Sequence, residues 1–172
     1  GDTLIELLEA APAAHTENDE PFRFPVQFVC RPQDSTNPEL HDYRGFMGRV
    51  ESGSIQVGDA VTVLPSGRTS IVKSIELGGE PLREAITEQS VTLLLTDEID
   101  ISRGDMIVKT DALPTQTKQV DATVCWLAEA PLDRARTYLI RHTTRETKAK
   151  VAAIEWRIDI NTLERQAAER LQ

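Results

Sequence analysis

The chain has 172 residues, enough for one ordinary domain or two small ones, and its balance of 40% hydrophobic and 27% charged residues excludes wholesale disorder. It contains no run of 18 apolar residues, so the sequence predicts no transmembrane helix and no membrane partner. The formal net charge of −9 disfavours general binding to nucleic acid, because an acidic surface repels phosphate backbones.

This charge is unevenly distributed along the chain. Residues 1–20 carry six acidic residues and no Lys or Arg, residues 21–112 carry nine basic and fourteen acidic residues, and residues 113–172 carry ten basic and eight acidic residues. The last third is therefore the one region where the sequence favours an acidic or phosphate-bearing partner.

The two cysteines, Cys30 and Cys125, each lie in an alternating apolar run. This pattern predicts buried thiols in a reducing cytoplasm, and it leaves open a single disulfide between them.

A short helix is predicted over residues 3–11. Thr3 with Glu6 three residues later forms a capping box, and apolar residues recur with helical spacing until Pro12. Residues 13–21 are polar and are predicted to be a linker. The chain begins without Met, so we expect it to be part of a longer protein whose missing domain contacts this helix.

From Phe22 onward the hydrophobic period changes from helical to two. Val26, Phe28 and Cys30 share one parity, and similar runs recur at 59–64 and 91–95, separated by glycine-containing turns. Strands at this spacing predict a closed antiparallel β-barrel over residues 22–112. Residues 31–42 contain two prolines and no period, and are predicted to be an exposed loop.

A second unit is predicted after Leu113-Pro114. Three alternating runs predict strands over residues 120–126, 138–142 and 154–160, and residues 161–172 are predicted to form a short helix. Three strands are too few to close a barrel. We therefore expect an incomplete second barrel that is truncated or is completed by a partner chain.

Sequence motifs for catalysis and nucleotide binding are missing. The sequence has no GxxxxGK[ST], GxSxG, HExxH, CxxC or EF-hand spacing, and its three histidines are far apart. The sequence therefore predicts no catalytic residue, no cofactor-binding residue and no metal ligand in this chain.

The densest acidic cluster consists of Asp97, Glu98, Asp100 and Asp105. One interpretation is a site for a divalent metal ion, since such ions prefer carboxylate ligands. The other is a solvated connection between two strands. The interspersed isoleucines at positions 99 and 101 favour the connection, because they have the character of buried anchors.

A basic stretch in the second unit supplies the candidate site. It contains these residues: Arg134, Arg136, Arg141, Arg145, Lys148 and Lys150. One interpretation is a docking face for an acidic partner or a phosphate chain, with all but the last as docking residues. The other is a solvated strand face and hairpin tip. Trp126 and Trp156 are predicted to be core anchors rather than ligand platforms.

Several runs carry a family resemblance. The run GRVESGSIQVGD at 48–59 resembles the GxVxxGxIxxGD pattern of domain II in translational GTPases such as elongation factor Tu. The runs at 24–32, 63–67 and 95–105 narrow the resemblance further. Together the four runs resemble the large GTP-binding subunit of sulfate adenylyltransferase (ATP sulfurylase) and its relatives fused to adenylylsulfate kinase.

The resemblance implies an all-β fold. Residues 1–21 would be the C-terminal helix of a missing GTPase domain plus a linker. Residues 22–112 would be the closed antiparallel barrel of domain II, and residues 113–172 the first part of domain III, an incomplete second barrel.

The resemblance also implies a function: a non-catalytic barrel region that couples GTP hydrolysis to adenylylsulfate synthesis in the cytoplasm. GTP and magnesium would bind the parent protein and not this fragment. The expected partners are the small catalytic subunit of sulfate adenylyltransferase and the chain's own GTPase domain.

Two alternatives remain at this point. A translation-factor barrel pair would bind the acceptor end of tRNA, although the acidic balance of the chain disfavours this function. A structural interaction module would exchange strands between copies through the open edge of its second unit.

Overall fold

The computed structural model describes residues 3–10, 19–32, 42–159 and 161–168. The chain divides into two compact units, Gly1–Pro114 and Thr115–Gln172. Within the described residues, no helix has both the length and the apolar character that crossing a bilayer requires.

The predicted N-terminal helix is confirmed as α1, Leu4–Ala10. Its capping box is formed in both directions. The Thr3 amide donates to Glu6 Oε2 at 2.7 Å, and the Glu6 amide donates to Thr3 Oγ1 at 3.3 Å. The Glu6 carboxylate also accepts from the Thr3 hydroxyl at 2.8 Å, and the bonds from the Thr3 amide and hydroxyl lower the pKa of Glu6. Residues 11–18, most of the predicted linker, lie outside the described part of the chain. The assignment of residues 1–21 to a GTPase domain stays a prediction.

The first unit is a closed antiparallel barrel, as predicted. Its strands are β1 Arg23–Cys30, β2 Gly45–Arg49, β3 Ser54–Gln56, β4 Ala60–Leu64, β5 Arg68–Leu77, β6 Glu80–Leu82, β7 Glu84–Ile86, β8 Ser90–Leu95 and β9 Met106–Lys109. Six of them form a ring in the order β4-β9-β1-β2-β8-β5, which closes through the pairing of β5 with β4. Outside the ring, β6 pairs with β5, and β3 pairs with β7.

The barrel interior is the hydrophobic core. The fully buried side chains come from every strand of the ring, and the stacked rings of Phe22 and Phe24 lie 6.2 Å apart in this core. Ile99 and Ile101 are 5% and 2% exposed, so the predicted anchors in the acidic connection are confirmed. Burial of this apolar surface is the main stabilising contribution to the barrel.

Strand β1 changes its parity at a β-bulge between Val26 and Phe28. Val26 is fully buried, whereas Phe28 is 60% exposed and Val29 packs partly against the core. The predicted common face of Val26, Phe28 and Cys30 is therefore wrong beyond Val26. The extra residue in a bulge shifts every later side chain to the opposite face of the sheet.

Gly48 is required where β2 passes close to β1. A Cβ atom at this position would lie 2.5 Å from the carbonyl oxygen of Pro25 and 2.9 Å from the ring of Phe24. Because any side chain would meet these atoms, glycine is the residue that permits the close approach of the two backbones.

The second unit contains two small sheets. Its strands are β10 Tyr138–His142, β11 Arg145–Ala149, β12 Arg157–Ile158 and β13 Arg165–Gln166, paired as β10–β11 and β12–β13. The predicted strand over 120–126 is wrong, because residues 115–137 are described throughout and contain no strand. Val120 and Val124 are 73% and 57% exposed. An alternating pattern gives a strand only where a second strand pairs with it.

The helix predicted over residues 161–172 is also wrong in its described part. The Asp159 carboxylate accepts hydrogen bonds from the Asn161 and Thr162 amides at 2.9 and 3.1 Å, which lowers the pKa of Asp159. Leu163 has φ of 58°, outside the right-handed helical region. The side chain of Asp159 therefore stabilises a turn in place of a helix. Residues 160 and 169–172 lie outside the described residues.

Both tryptophans are half-buried, so the predicted core anchors are wrong. The Trp126 ring meets Tyr138 edge-on at 5.7 Å, and its Nε1 donates to the Ala130 carbonyl at 2.9 Å. The Trp156 ring lies 4.4 Å from the Arg165 guanidinium. Each ring packs against a neighbouring turn or strand, because the second unit has little interior to receive it.

The cysteine prediction is also corrected in part. Both thiols are free, so no disulfide joins them. Cys30 is half-buried, whereas Cys125 is exposed because its segment forms no strand.

Candidate docking site

The basic stretch predicted from the sequence is built on the hairpin β10–β11. Its register pairs His142 with Arg145, so the turn consists of Thr143 and Thr144. Thr143 has φ of 53°, and its hydroxyl donates to the His142 carbonyl at 2.7 Å. A positive φ in a two-residue turn matches the twist of the strands that it joins.

The hairpin register divides the candidate residues between two faces. Arg141 pairs with Glu146 and Leu139 with Lys148, so these four side chains share one face. We call it the Arg141 face. Arg145 lies on the opposite face, because successive side chains of a strand point to opposite sides. The structure therefore brings Arg141 and Lys148 together and separates Arg145 from them.

Glu146 partly neutralises the Arg141 face. Arg141 Nε donates to Glu146 Oε1 at 2.8 Å, and Arg141 Nη2 forms an ion pair with the same carboxylate. The Arg141 side chain is 69% exposed, so this pair contributes little to stability. Within the described residues, Lys148 and Arg145 have no carboxylate at ion-pair distance. Their charges are available to a partner.

Two further candidate arginines support the turn that precedes the hairpin. Arg134 donates to the Ala152 carbonyl, and the Arg136 guanidinium lies 5.9 Å from the Tyr138 ring centre. The Tyr138 hydroxyl donates to the Asp133 carbonyl at 3.0 Å and accepts from the Asp133 amide at 2.9 Å. These contacts give Arg134 and Arg136 structural partners, so they are weaker docking candidates.

The acidic cluster of the barrel has separate partners for its carboxylates. Asp97 accepts from the Ser70 hydroxyl at 2.7 Å, Asp105 accepts from the Ser102 amide at 2.9 Å, and Asp100 lies 3.4 Å from Arg44. The described part of the chain has no group of three or more side chains placed to hold a metal ion. This geometry favours the solvated connection between strands.

One exposed feature of the barrel was not found from the sequence. Phe28 lies beside an open cleft, and no local sequence signal marks the bulge that directs its side chain outward.

Two family models match the chain. Residues 46–108 match elongation factor Tu domain 2, and residues 119–172 match the GTP-eEF1A C-terminal domain-like family. Curated relatives extend the match to the whole chain. Sulfate adenylyltransferase subunit 1 of Teredinibacter turnerae is 44% identical over 172 residues, which are 100% of this chain and 35% of that protein.

The chain is therefore similar to elongation factor Tu domain 2 and to the GTP-eEF1A C-terminal domain-like family. Its resemblance to sulfate adenylyltransferase subunit 1 is confirmed. The corresponding protein of Tolumonas auensis is 45% identical over 100% of this chain and 35% of its own length. The bifunctional enzyme CysN/CysC of Mycobacterium tuberculosis is 43% identical over 96% of this chain and 26% of its own length. The chain thus spans about a third or less of these relatives.

Solved structures share the fold of this chain. The match to a bacterial selenocysteine-specific elongation factor covers 87% of this chain and 24% of that protein, with a TM-score of 0.63 and 21% identity. The match to Sup35 bound to GMPPNP covers 98% of this chain and 40% of that protein, with a TM-score of 0.66 and 18% identity. At these identities the likeness concerns the fold alone.

Proposed function

We propose that this chain is the non-catalytic barrel region of a sulfate adenylyltransferase subunit 1, in a parent protein that couples GTP hydrolysis to adenylylsulfate synthesis in the cytoplasm. The observation that carries the proposal is the 44% identity to subunit 1 across all 172 residues. A selenocysteine-specific elongation factor and Sup35 share the fold at about half that identity, 21% and 18%. The sequence similarity therefore favours sulfate activation over a translation role.

The chemistry of the proposed reaction explains the need for coupling. Joining sulfate to the AMP part of ATP forms a mixed anhydride of high energy, so a second hydrolysis makes the reaction favourable. The barrel would move as a rigid body with the GTPase domain and transmit its state to the catalytic subunit. A ring in which every strand has two neighbours suits this role, because it resists deformation.

GTP and magnesium would be held by the parent protein outside this chain. The sequence contains no Gly-Lys pair and so cannot form the usual phosphate-binding loop. We expect calorimetry to detect no GTP binding by this chain alone. Micromolar binding would contradict that assignment.

An exchange of segments tests the proposed function. The matching segment of Teredinibacter turnerae subunit 1 is replaced by this chain, and GTP-stimulated adenylylsulfate formation is measured with the catalytic subunit of that organism. We expect the GTP stimulation to be retained. A matched chimera carries the corresponding segment of elongation factor Tu and should lose it. If the first chimera folds and binds GTP yet shows no stimulation, the proposal is wrong.

We further propose that the Arg141 face of the second unit docks on an acidic surface of the small catalytic subunit. The face exposes Arg141 and Lys148 on a chain whose net charge is −9, so it can select an acidic surface by charge.

The docking proposal is tested by charge reversal on each face separately. The double variant Arg141→Glu and Lys148→Glu should weaken binding of the catalytic subunit about tenfold or more. Arg145→Glu, on the opposite face, should have a smaller effect than either Arg141→Glu or Lys148→Glu alone, and Lys118→Glu is the control that matches these single variants in charge. Binding is measured by interferometry. If the double variant keeps the wild-type melting temperature and binds as tightly as the wild type, the docking proposal is wrong.

A further inference from the structure

An open cleft lies on the barrel beside the bulge of β1. Its volume is about 460 Å³, and its walls are residues 27–29, Arg31 and the connection 100–103. Clefts of this size accommodate a small ligand or a few residues of an extended peptide.

Two exposed apolar side chains on neighbouring strands lie at this cleft or next to it: Phe28 lines the cleft, and Met47 is the cross-strand neighbour of Phe28. The bulge turns Phe28 outward, and Phe28 pairs with Met47 of β2. The two side chains are 60% and 40% exposed, so an aromatic ring and a thioether lie side by side on the outside of the barrel. Bulges that redirect a side chain are frequent next to functional sites.

Two arginines line the cleft beside Phe28. Arg103 Nη1 donates to the Gln27 carbonyl at 2.8 Å, which fixes its guanidinium at the bulge. Arg31 is exposed. Throughout the described ranges, neither arginine has a carboxylate at ion-pair distance, although acidic residues outnumber basic ones in the chain by 28 to 19. Arginines that lack a carboxylate partner among the described residues favour an anionic partner on an acidic protein.

A third arginine, Arg44, contacts Asp100 of the cleft wall and does not itself line the cleft. Arg44 is 3.4 Å from Asp100, and its guanidinium is 5.6 Å from the ring centre of Phe46. Burial and the nearby charge of Arg31 lower the pKa of Arg44. The Asp100 side chain is 89% exposed at the cleft, where it would repel a phosphate dianion. A peptide can place a stretch of uncharged backbone beside Asp100 and keep its carboxylates beside Arg31 and Arg103.

We propose that this cleft binds an extended acidic segment of a partner protein. An apolar side chain of the segment packs on Phe28 and Met47, and its carboxylates pair with Arg31 and Arg103. Aromatic residues, Met and Arg are the residue types enriched where protein interfaces are buried. The proposal goes beyond sulfate activation and does not depend on it.

The test uses nuclear magnetic resonance titrations of the full chain with three probes. The first is a blocked tetrapeptide of aspartate, phenylalanine, leucine and aspartate. The second has lysine in place of both aspartates, and the third is adenosine monophosphate. We expect only the acidic peptide to shift the amide resonances of residues 27–31 and 100–103. Equal binding of the lysine peptide, or shifts caused by the nucleotide alone, would overturn the proposal.

Variants locate the site. Phe28→Ser and Arg31→Glu should each weaken binding of the acidic peptide by about tenfold. Arg83→Glu reverses the same charge at an exposed position that does not line the cleft, and should leave binding unchanged. All three variants should keep the amide spectrum of the folded barrel. If Arg31→Glu binds as tightly as the wild type, the cleft is not the peptide site.

Discussion

The two units of the chain contain strands of similar local sequence, but they differ in what those strands bury. Among the described residues, twenty apolar side chains are buried, and all except Leu132 belong to the barrel or its connections. In the second unit, large apolar residues such as Leu139 and Leu163 are 66% and 76% exposed. Alternation of apolar residues is common to both units, so alternation alone does not create a core.

Closure of the sheet accounts for this difference. Each strand of the ring has a partner on both sides, and all six present side chains to one interior. Among the strands that the structure describes, β10 and β11 pair only with each other, as do β12 and β13. An isolated two-stranded hairpin is at best marginally stable in water. The described residues of the second unit therefore contribute little stability of their own.

The largest expected difference is between two leucine-to-alanine substitutions, one in each unit. Leu93→Ala removes a fully buried side chain from the barrel and should lower the free energy of unfolding by about 3 kcal/mol. Leu139→Ala, at an exposed position, should change it by about 0.5 kcal/mol or less. Urea denaturation followed by circular dichroism measures both values. Similar losses in the two variants would break the comparison.

Two barrel glycines with the same φ allow the cost of backbone strain to be measured apart from the cost of a steric clash. Gly53 and Gly67 both have φ of 72°, but a Cβ atom at Gly53 would lie 2.4 Å from the Glu20 carbonyl oxygen, whereas Gly67 faces open space. Gly67→Ala should cost about 1 kcal/mol from strain alone. Gly53→Ala should cost about 2 kcal/mol more, because the backbone must move. Equal melting temperatures would contradict the close approach at Gly53.

A smaller effect is expected at the outer face of the barrel. The Tyr43 hydroxyl donates to Glu76 Oε2 at 2.7 Å, and Tyr43→Phe should cost about 1 kcal/mol. Tyr138→Phe, in the second unit, should leave the barrel's unfolding transition unchanged.

Tyr43 also predicts that the free energy of unfolding of the barrel depends on pH. Burial first, and the bond to Glu76 second, raise the pKa of Tyr43 above its ordinary value of 10.0. Its stabilising contribution is therefore complete below pH 10.0 and is lost as the pH rises above that value. Between pH 10 and 12, the free energy of unfolding should fall more steeply for the wild type than for Tyr43→Phe. Parallel curves would contradict this assignment.

Much of the barrel could be predicted from the sequence, because its determinants are local. The capping box at Thr3 and Glu6, the glycine turns and the alternation around Leu93 each specify an element within a few residues. Phe28 was misplaced because a bulge is an irregularity of pairing, and the hydrophobic period carries no trace of it. The failure at 120–126 arose because an alternating pattern does not specify its pairing partner, and the failure at 161–168 arose because the Asp159 side chain stabilises a turn.

The candidate site was predictable in composition but not in geometry. The basic residues of the second unit were identified, and a hairpin was expected to carry them. Only the register shows that Arg141 and Lys148 share a face without Arg145. The contacts of Arg134 and Arg136 are with a backbone carbonyl and an aromatic ring, which residue type alone does not reveal.

Amide hydrogen exchange across the whole chain tests most directly the claim that the closed barrel, and not the second unit, holds the stability of this protein. The account predicts that amides of the ring strands, such as those of Val26 and Leu93, exchange about a thousandfold more slowly than the paired amides of Leu139 to His142. Equal protection in the ring and in the β10–β11 hairpin would contradict it.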